Sequence, residues 1–179
     1  MSSPQEGNRR LARRLRSLWT LELFDSFFLP GVLLLSSCQL DQALGLFSAS
    51  SAALVAWLLW QGSAYWWLKL RALRQGTRIP AETLRSFRVL RPVNWVLIGL
   101  VPVLLVVSGL VGPGISSLLD LVAGAGFYSL AVLEQVNYYH YQLMYDCPPD
   151  WRTLVERKRL MRSSLARALD GLRGMGRDR

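Results

Sequence analysis

All 21 lysine and arginine residues of this 179-residue chain lie in three segments, and the stretches between these segments are apolar. Five of these cations precede residue 21, seven lie in residues 69–92, and nine lie in residues 146–179. A membrane-crossing helix needs about 20 apolar residues, so each apolar stretch has room for two crossings. Cations confined to the ends of apolar segments are typical of an integral membrane protein.

The composition agrees with this interpretation. The chain is 51% hydrophobic and 18% charged, whereas soluble domains carry about 25% charged residues. Its formal net charge is nonetheless +9. A basic chain of this kind could bind nucleic acid, but that requires a soluble basic face. Because most of this chain is apolar, we expect anionic lipid headgroups as its partner and no nucleic acid.

The apolar pattern predicts an all-α, integral membrane four-helix bundle with spans at about residues 21–40, 43–68, 93–111 and 115–136. Four crossings put all three basic segments on one side of the membrane, and the positive-inside rule makes that side cytoplasmic. Glu22 and Asp25 weaken the first span and raise the alternative of a re-entrant segment. We reject that alternative because it would place seven cations outside. The expected location is the bacterial plasma (inner) membrane, with both termini cytoplasmic.

The three basic segments are expected to lie at the cytoplasmic face. Residues 1–20 contain leucines at helical spacing among five arginines, which predicts a basic amphipathic helix on the membrane surface. In the cytoplasmic loop 69–92, Pro80 suits the first turn of a short interfacial helix. Residues 146–179 are expected to form a basic helix, from about Trp151 to Leu172, and a frayed tail. The bundle itself would occupy residues 21–145.

Three carboxylates fall at membrane depth, where charge is costly and usually paired or functional. Glu22 and Asp25 lie near the cytoplasmic end of the first span. They either pair with nearby arginines or form a relay for protons or cations. Asp120 lies near the outer end of the fourth span, where the sequence supplies no cation. We expect Asp120 to stay near the surface, to be neutralised, or to accept hydrogen bonds from serines.

If the helix of the fourth span continues to about residue 145, its end carries a face of polar and aromatic side chains. Glu134, Asn137, Tyr138 and Tyr141 then fall within an arc of about 100°, with His140 on the adjoining flank. Such a face either packs against polar residues of other spans or lines a pocket open to the cytoplasm. Glu134 and His140 are a conceivable acid–base pair, although about 120° separates them on the helix.

The same segment reads L-E-x-x-N-Y-Y-H-x-Q-L from Leu133 to Leu143. With the tyrosine at position 145 and the basic segment after it, this stretch resembles small, uncharacterised bacterial multi-pass membrane proteins. The resemblance implies membrane insertion and brings no activity with it.

Cysteine and histidine usage limits the remaining chemistry. Leu35-Ser36-Ser37-Cys38 matches a bacterial lipobox, but a signal's apolar core is short and uncharged, so lipidation of Cys38 is the less favoured interpretation. Cys147 would lie on the other side of the membrane and cannot pair with Cys38. A single histidine excludes multi-histidine metal sites within one chain. We expect no metal, no cofactor and no catalytic residue.

The favoured function is therefore a non-catalytic accessory or assembly protein that binds lipids and a protein partner or a second copy of itself. The first alternative is a small proton- or cation-coupled transporter that uses the intramembrane carboxylates. The second is a lipid-headgroup enzyme that uses Glu134 and His140.

Overall fold

The structure, a computed structural model, describes residues 4–112, 114–143 and 160–175. Its described part contains five α-helices and no β-strand. They are α1 (Pro4–Leu40), α2 (Leu46–Gln75), α3 (Ala81–Val111), α4 (Leu118–Tyr139) and α5 (Ser164–Met175). The prediction of an all-α chain is confirmed for these residues.

Three of the described helices are long and apolar enough to cross a membrane. They lie at Glu6–Leu40, Ala81–Val111 and Leu118–Tyr139, and so correspond to α1, α3 and α4. α2 has 30 residues but is less apolar, because serines, tryptophans and Gln61 interrupt its aliphatic residues. The polar side chains of Ser48, Ser51 and Gln61 are buried and therefore face other helices.

Consecutive long helices run in opposite directions, so the described chain has two distinct ends. At one end, the indole Nε1 of Trp66 in α2 donates to Glu22 in α1, and Lys69 donates to Ser164 of α5. At the opposite end, the backbone amide of Leu119 in α4 donates to Gln42, just after α1. Every described lysine and arginine belongs to the first end, which we call the basic end.

The buried side chains form two clusters. The first lies between the apolar parts of α2, α3 and α4 and includes Val55, Leu58 and Ala131, none of which is exposed. The second lies at the basic end, where Leu165 and Leu169 of α5 pack with aromatic residues of the long helices. Leu165 and Leu169 are four residues apart and therefore share one face of α5, and both are buried. α5 thus covers the long helices at the basic end.

Two predicted interfacial helices are continuous with spans. α1 includes both the basic segment and the first apolar stretch, so the predicted boundary between residues 20 and 21 falls inside it. Its 37 residues extend about 55 Å, more than the ~30 Å of a bilayer core. α3 likewise begins at Ala81 and passes through Pro92 without interruption. Leucine and arginine favour helix, and no breaker separates the basic part of α1 from its apolar part.

α4 ends at Tyr139, six residues before the end expected from the sequence. Ser163 satisfies the backbone groups there, because its hydroxyl donates to the carbonyl of Tyr138 and its amide donates to the carbonyl of His140. The same hydroxyl accepts from the amide of Ala166 at 3.0 Å and so caps α5. The expected start of this helix at Trp151 lies outside the described residues.

Candidate functional site

A cavity of about 230 Å³ opens at the basic end of the molecule. Its walls come from the N-terminal part of α1, the C-terminal parts of α2 and α4, and the N-terminus of α5. The apolar residues of α1 that line it, Leu11, Leu15 and Leu18, recur every three or four positions and therefore share one helix face. The amphipathic pattern of residues 1–20 thus contributes a wall of this cavity.

Three cations from three different helices form the outer part of the cavity, which we call the cationic rim: Arg14, Lys69 and Arg167. The ammonium of Lys69 donates to the hydroxyl of Ser164 at 2.6 Å and lies 5.4 Å from the centre of the Trp66 ring. Burial lowers the pKa of Lys69 from its usual range, and the nearby charges of Arg167 and Arg14 lower it further. The rim therefore concentrates positive charge where water is partly excluded.

The inner part of the cavity, its floor, is acidic and aromatic. Glu22 and Tyr138 line it, and Oε1 of Glu22 accepts from the indole of Trp66 at 2.8 Å. Oε2 of Glu22 and the hydroxyl of Tyr138 are both buried and have no hydrogen-bond partner among the described residues. The carboxylates of Glu134 and Asp25 lie close enough to Glu22 to repel it. The described ion pairs do not include Glu22.

Gly62 of α2 makes the meeting of Glu22 and Tyr138 possible. A Cβ added at this position would overlap both the phenol of Tyr138 and the carboxylate of Glu22. The absence of a side chain therefore lets residues of α1 and α4 meet across the backbone of α2.

The predicted polar face is only partly assembled. Glu134, Asn137 and Tyr138 lie together, with the amide of Asn137 3.4 Å from Glu134, and Asn137 and Tyr138 reach the cavity. Tyr141 lies beyond the end of α4, is 45% exposed, and pairs with Arg162 in an isolated antiparallel bridge. The helical extension that would have placed Tyr141 on this face is not formed.

His140 lies in a separate group from Glu134. Nη2 of Arg91 is 3.2 Å from its Nδ1, and the indole Nε1 of Trp95 is 3.4 Å from its Nε2. Burial lowers the pKa of His140, and the charges of Arg91 and Arg162 lower it further. The structure therefore surrounds this imidazole with nitrogen donors, and the conceivable acid–base pair with Glu134 is not assembled.

The other predicted site residues lie apart from the cavity. Asp120 is fully buried at the opposite end, where its carboxylate accepts from the backbone amides of Ser48 at 2.8 Å and Ser116 at 3.1 Å. Cys38 is exposed near the end of α1 and is a free thiol. Cys147 lies outside the described residues. The described residues contain no group of three or more potential metal ligands.

A buried amide network joins three helices between the cavity and the apolar core. Nδ2 of Asn94 donates to Gln61 and to Gln135, both at 3.0 Å. Oδ1 of Asn94 accepts from Gln61 and from the indole of Trp57, both at 3.1 Å. The hydroxyl of Tyr139 donates to Gln61 at 2.7 Å. The sequence predicted that polar residues of other spans pack near the polar face, but Gln135 and Tyr139 were not predicted to take part. Their signal was a polar group within an apolar helix.

No protein-family model, curated protein or solved structure matches this chain. The resemblance of Leu133 to Leu143 to small bacterial membrane proteins therefore stays a prediction, and the case for function comes from the site itself.

Proposed function

We propose that this protein is a non-catalytic accessory protein of the bacterial plasma membrane that binds the phosphate headgroup of a phospholipid in the cavity at its basic end. The observation that carries the proposal is the convergence of Arg14, Lys69 and Arg167 on one lined cavity. A bound anion would offset the mutual repulsion of these cations. The α5 N-terminus adds the partial positive charge of a helix start on the same side.

The apolar wall supports a lipid as the source of this phosphate. Leu11, Leu15 and Leu18 continue from the rim along α1 toward its apolar part. A headgroup at the rim would leave the acyl chains beside the exposed apolar residues of α1, of which Leu21 and Phe24 are more than half exposed. Cations above an apolar surface are the usual arrangement for binding lipid at a membrane interface.

The proposed orientation has four spans with the basic end in the cytoplasm. Like α1, α3 and α4, α2 extends from one end of the molecule to the other. We therefore expect α2 to cross the membrane together with them. The positive-inside rule then assigns the basic end to the cytoplasm. A cysteine introduced at Gln75 should resist a membrane-impermeant thiol reagent added from outside, whereas one at Gly112 should react. Labelling of the Gln75 variant from outside would contradict this orientation.

Lipid binding is tested by titrating the purified chain in detergent with phosphatidylglycerol and counting bound lipids by native mass spectrometry. Arg167→Gln, an exposed position, and Lys69→Met should each weaken binding about tenfold, because each removes one charge-assisted contact. Arg78→Gln is the matched control, since Arg78 is exposed and does not line the cavity. Equal affinities for the wild type and all three variants would overturn the proposal.

A second candidate function has its own observation. Glu22, Asp25 and Glu134 lie close to one another near the basic end, as a proton- or cation-coupled transporter would require. Asp120 does not take part, because it caps α2 at the opposite end. If Glu134→Gln keeps normal thermal stability while proteoliposomes lose a pH-dependent ion or solute flux, transport replaces the accessory function.

A further inference from the structure

The cavity presents cations at its rim and a carboxyl group at its floor. Along α1, Arg14 at the rim and Glu22 at the floor are eight residues apart, which corresponds to about 12 Å along the helix axis. Along α2, the indole of Trp66 separates the two charges, with its Nε1 on Glu22 and the ammonium of Lys69 near its ring. A ligand that reaches both depths must carry an anionic group for the rim and a cationic group with hydrogen-bond donors for the floor.

The floor presents polar atoms that can accept hydrogen bonds. Oε2 of Glu22 and the hydroxyl oxygen of Tyr138 are buried and face each other over Gly62, and neither makes a hydrogen bond of normal length with a described residue. Tyr138 is only 4% exposed, and a buried polar atom without a partner is costly. A cationic group with N–H donors would satisfy both oxygens.

The kind of cation follows from these acceptors. A primary ammonium has three N–H donors, enough for Glu22 and Tyr138 together. A trimethylammonium has no N–H and would leave both oxygens without hydrogen bonds. The aromatic rings of Tyr65 and Trp66, which also line the cavity, favour a cation of either kind. Hydrogen-bonding capacity therefore selects a primary amine.

We propose that the cavity recognises a phosphoethanolamine headgroup, with the phosphate on the cationic rim and the ammonium on Glu22 and Tyr138. Two methylene carbons join the phosphate oxygen to the ammonium in this headgroup, so one small ligand presents both kinds of group to the cavity. This inference rests on the proposed phosphate site and adds the selectivity for an amine.

The experiment titrates the full chain in detergent with phosphatidylethanolamine, phosphatidylcholine and phosphatidylglycerol of identical acyl chains, using native mass spectrometry. Wild-type protein should bind phosphatidylethanolamine about tenfold more tightly than the other two lipids. Glu22→Gln should remove this preference and leave phosphatidylglycerol binding intact. Gln retains an oxygen acceptor for Trp66, so the variant keeps that contact. Competition by free phosphoethanolamine distinguishes a soluble ligand of the same chemistry from the lipid.

Two further variants separate recognition from folding. Tyr138→Phe keeps the ring in the core and removes only the unpartnered hydroxyl, so it should reduce the preference without lowering thermal stability. Glu82→Gln makes the same chemical change on an exposed residue that does not line the cavity, and should retain the preference. Equal binding of all three lipids, still weakened by Lys69→Met, would overturn amine recognition and leave the phosphate site standing. Binding that is insensitive to Lys69→Met would overturn both.

Discussion

The carboxylate of Asp120, in the first turn of α4, accepts a hydrogen bond from the backbone amide of Ser48, near the start of α2. Gly45, which precedes α2, contributes no side-chain cap, and Asp120, 72 positions after Ser48, caps this helix instead. The hydroxyl of Ser117 in turn donates to the carbonyl of Ala43. The two helix starts at this end therefore satisfy each other's backbone groups, and a buried carboxylate is held by amides rather than by a cation.

Removing this cap should destabilise the folded protein. Asp120→Ala leaves the amides of Ser48 and Ser116 without their acceptor, and we expect the free energy of unfolding to fall by about 2 kcal/mol. Asp120→Asn keeps one acceptor oxygen and should cost less. Thermal unfolding in detergent measures both. Asp41→Asn changes an exposed carboxylate nearby and is the control; a loss of the same size there would contradict the capping role.

The amide network predicts a second stability effect. Asn94→Leu removes both the donor and the acceptor that Gln61 uses, together with the acceptor of Trp57. We expect a loss of roughly 2 kcal/mol, since interhelical hydrogen bonds in membrane proteins contribute about 0.6 kcal/mol each and unpaired buried groups cost more. Val96→Ala, on the exposed side of α3, should have little effect. Equal stability of the two variants would show that the network contributes nothing.

Two glycines provide a matched pair of substitutions. Gly62→Ala should displace Tyr138 and Glu22, lower the melting temperature and weaken lipid binding in the cavity. Gly99→Ala meets no atom within 4 Å and should be neutral or stabilising, because alanine favours helix by about 1 kcal/mol over glycine. Melting temperatures and lipid titrations of both variants test the pair. Tolerance of alanine at residue 62 would mean that the close approach is not required.

His140 predicts a pH dependence with a definite sign. Its pKa in the folded protein lies below the usual 6.5, so the unfolded chain binds a proton at pH values where the folded chain does not. Its contribution to stability is therefore present above pH 6.5 and is lost as the pH falls toward the folded pKa. The melting temperature of the wild type relative to His140→Gln should decline between pH 7 and pH 5. A difference that stays constant with pH would contradict the depressed pKa.

The sequence predicted the helical class, the positions of the apolar stretches and the gathering of cations, because each depends on local composition. It could not predict that α4 ends at Tyr139, since the hydroxyl that binds the carbonyl of Tyr138 belongs to Ser163, 25 residues later. From the sequence, the interfacial helices were divided from the spans because the two kinds of segment have different surroundings. The helical backbone nevertheless continues from one into the other, because no residue between them breaks it.

The residues of the candidate site were likewise predicted only in part from the sequence. Glu22, Asn137 and Tyr138 stood out as polar groups within apolar segments, and the structure brings them together at one cavity. Lys69 and Arg167 did not stand out, because a basic residue in a basic segment is not distinctive. Only the packing of α5 against α2 makes them neighbours. The function of such residues is a property of the assembled helices.

The packing of α5 at the basic end also sets the order in which the cavity can form. One wall belongs to residues made before the first apolar stretch, and the opposite wall, from Met161 to Arg167, to residues made after the fourth. A nascent chain that has been synthesised only through its fourth apolar stretch still lacks this second wall. A ligand bound in the cavity would therefore contact both the earliest and the latest parts of the chain and would stabilise their packing.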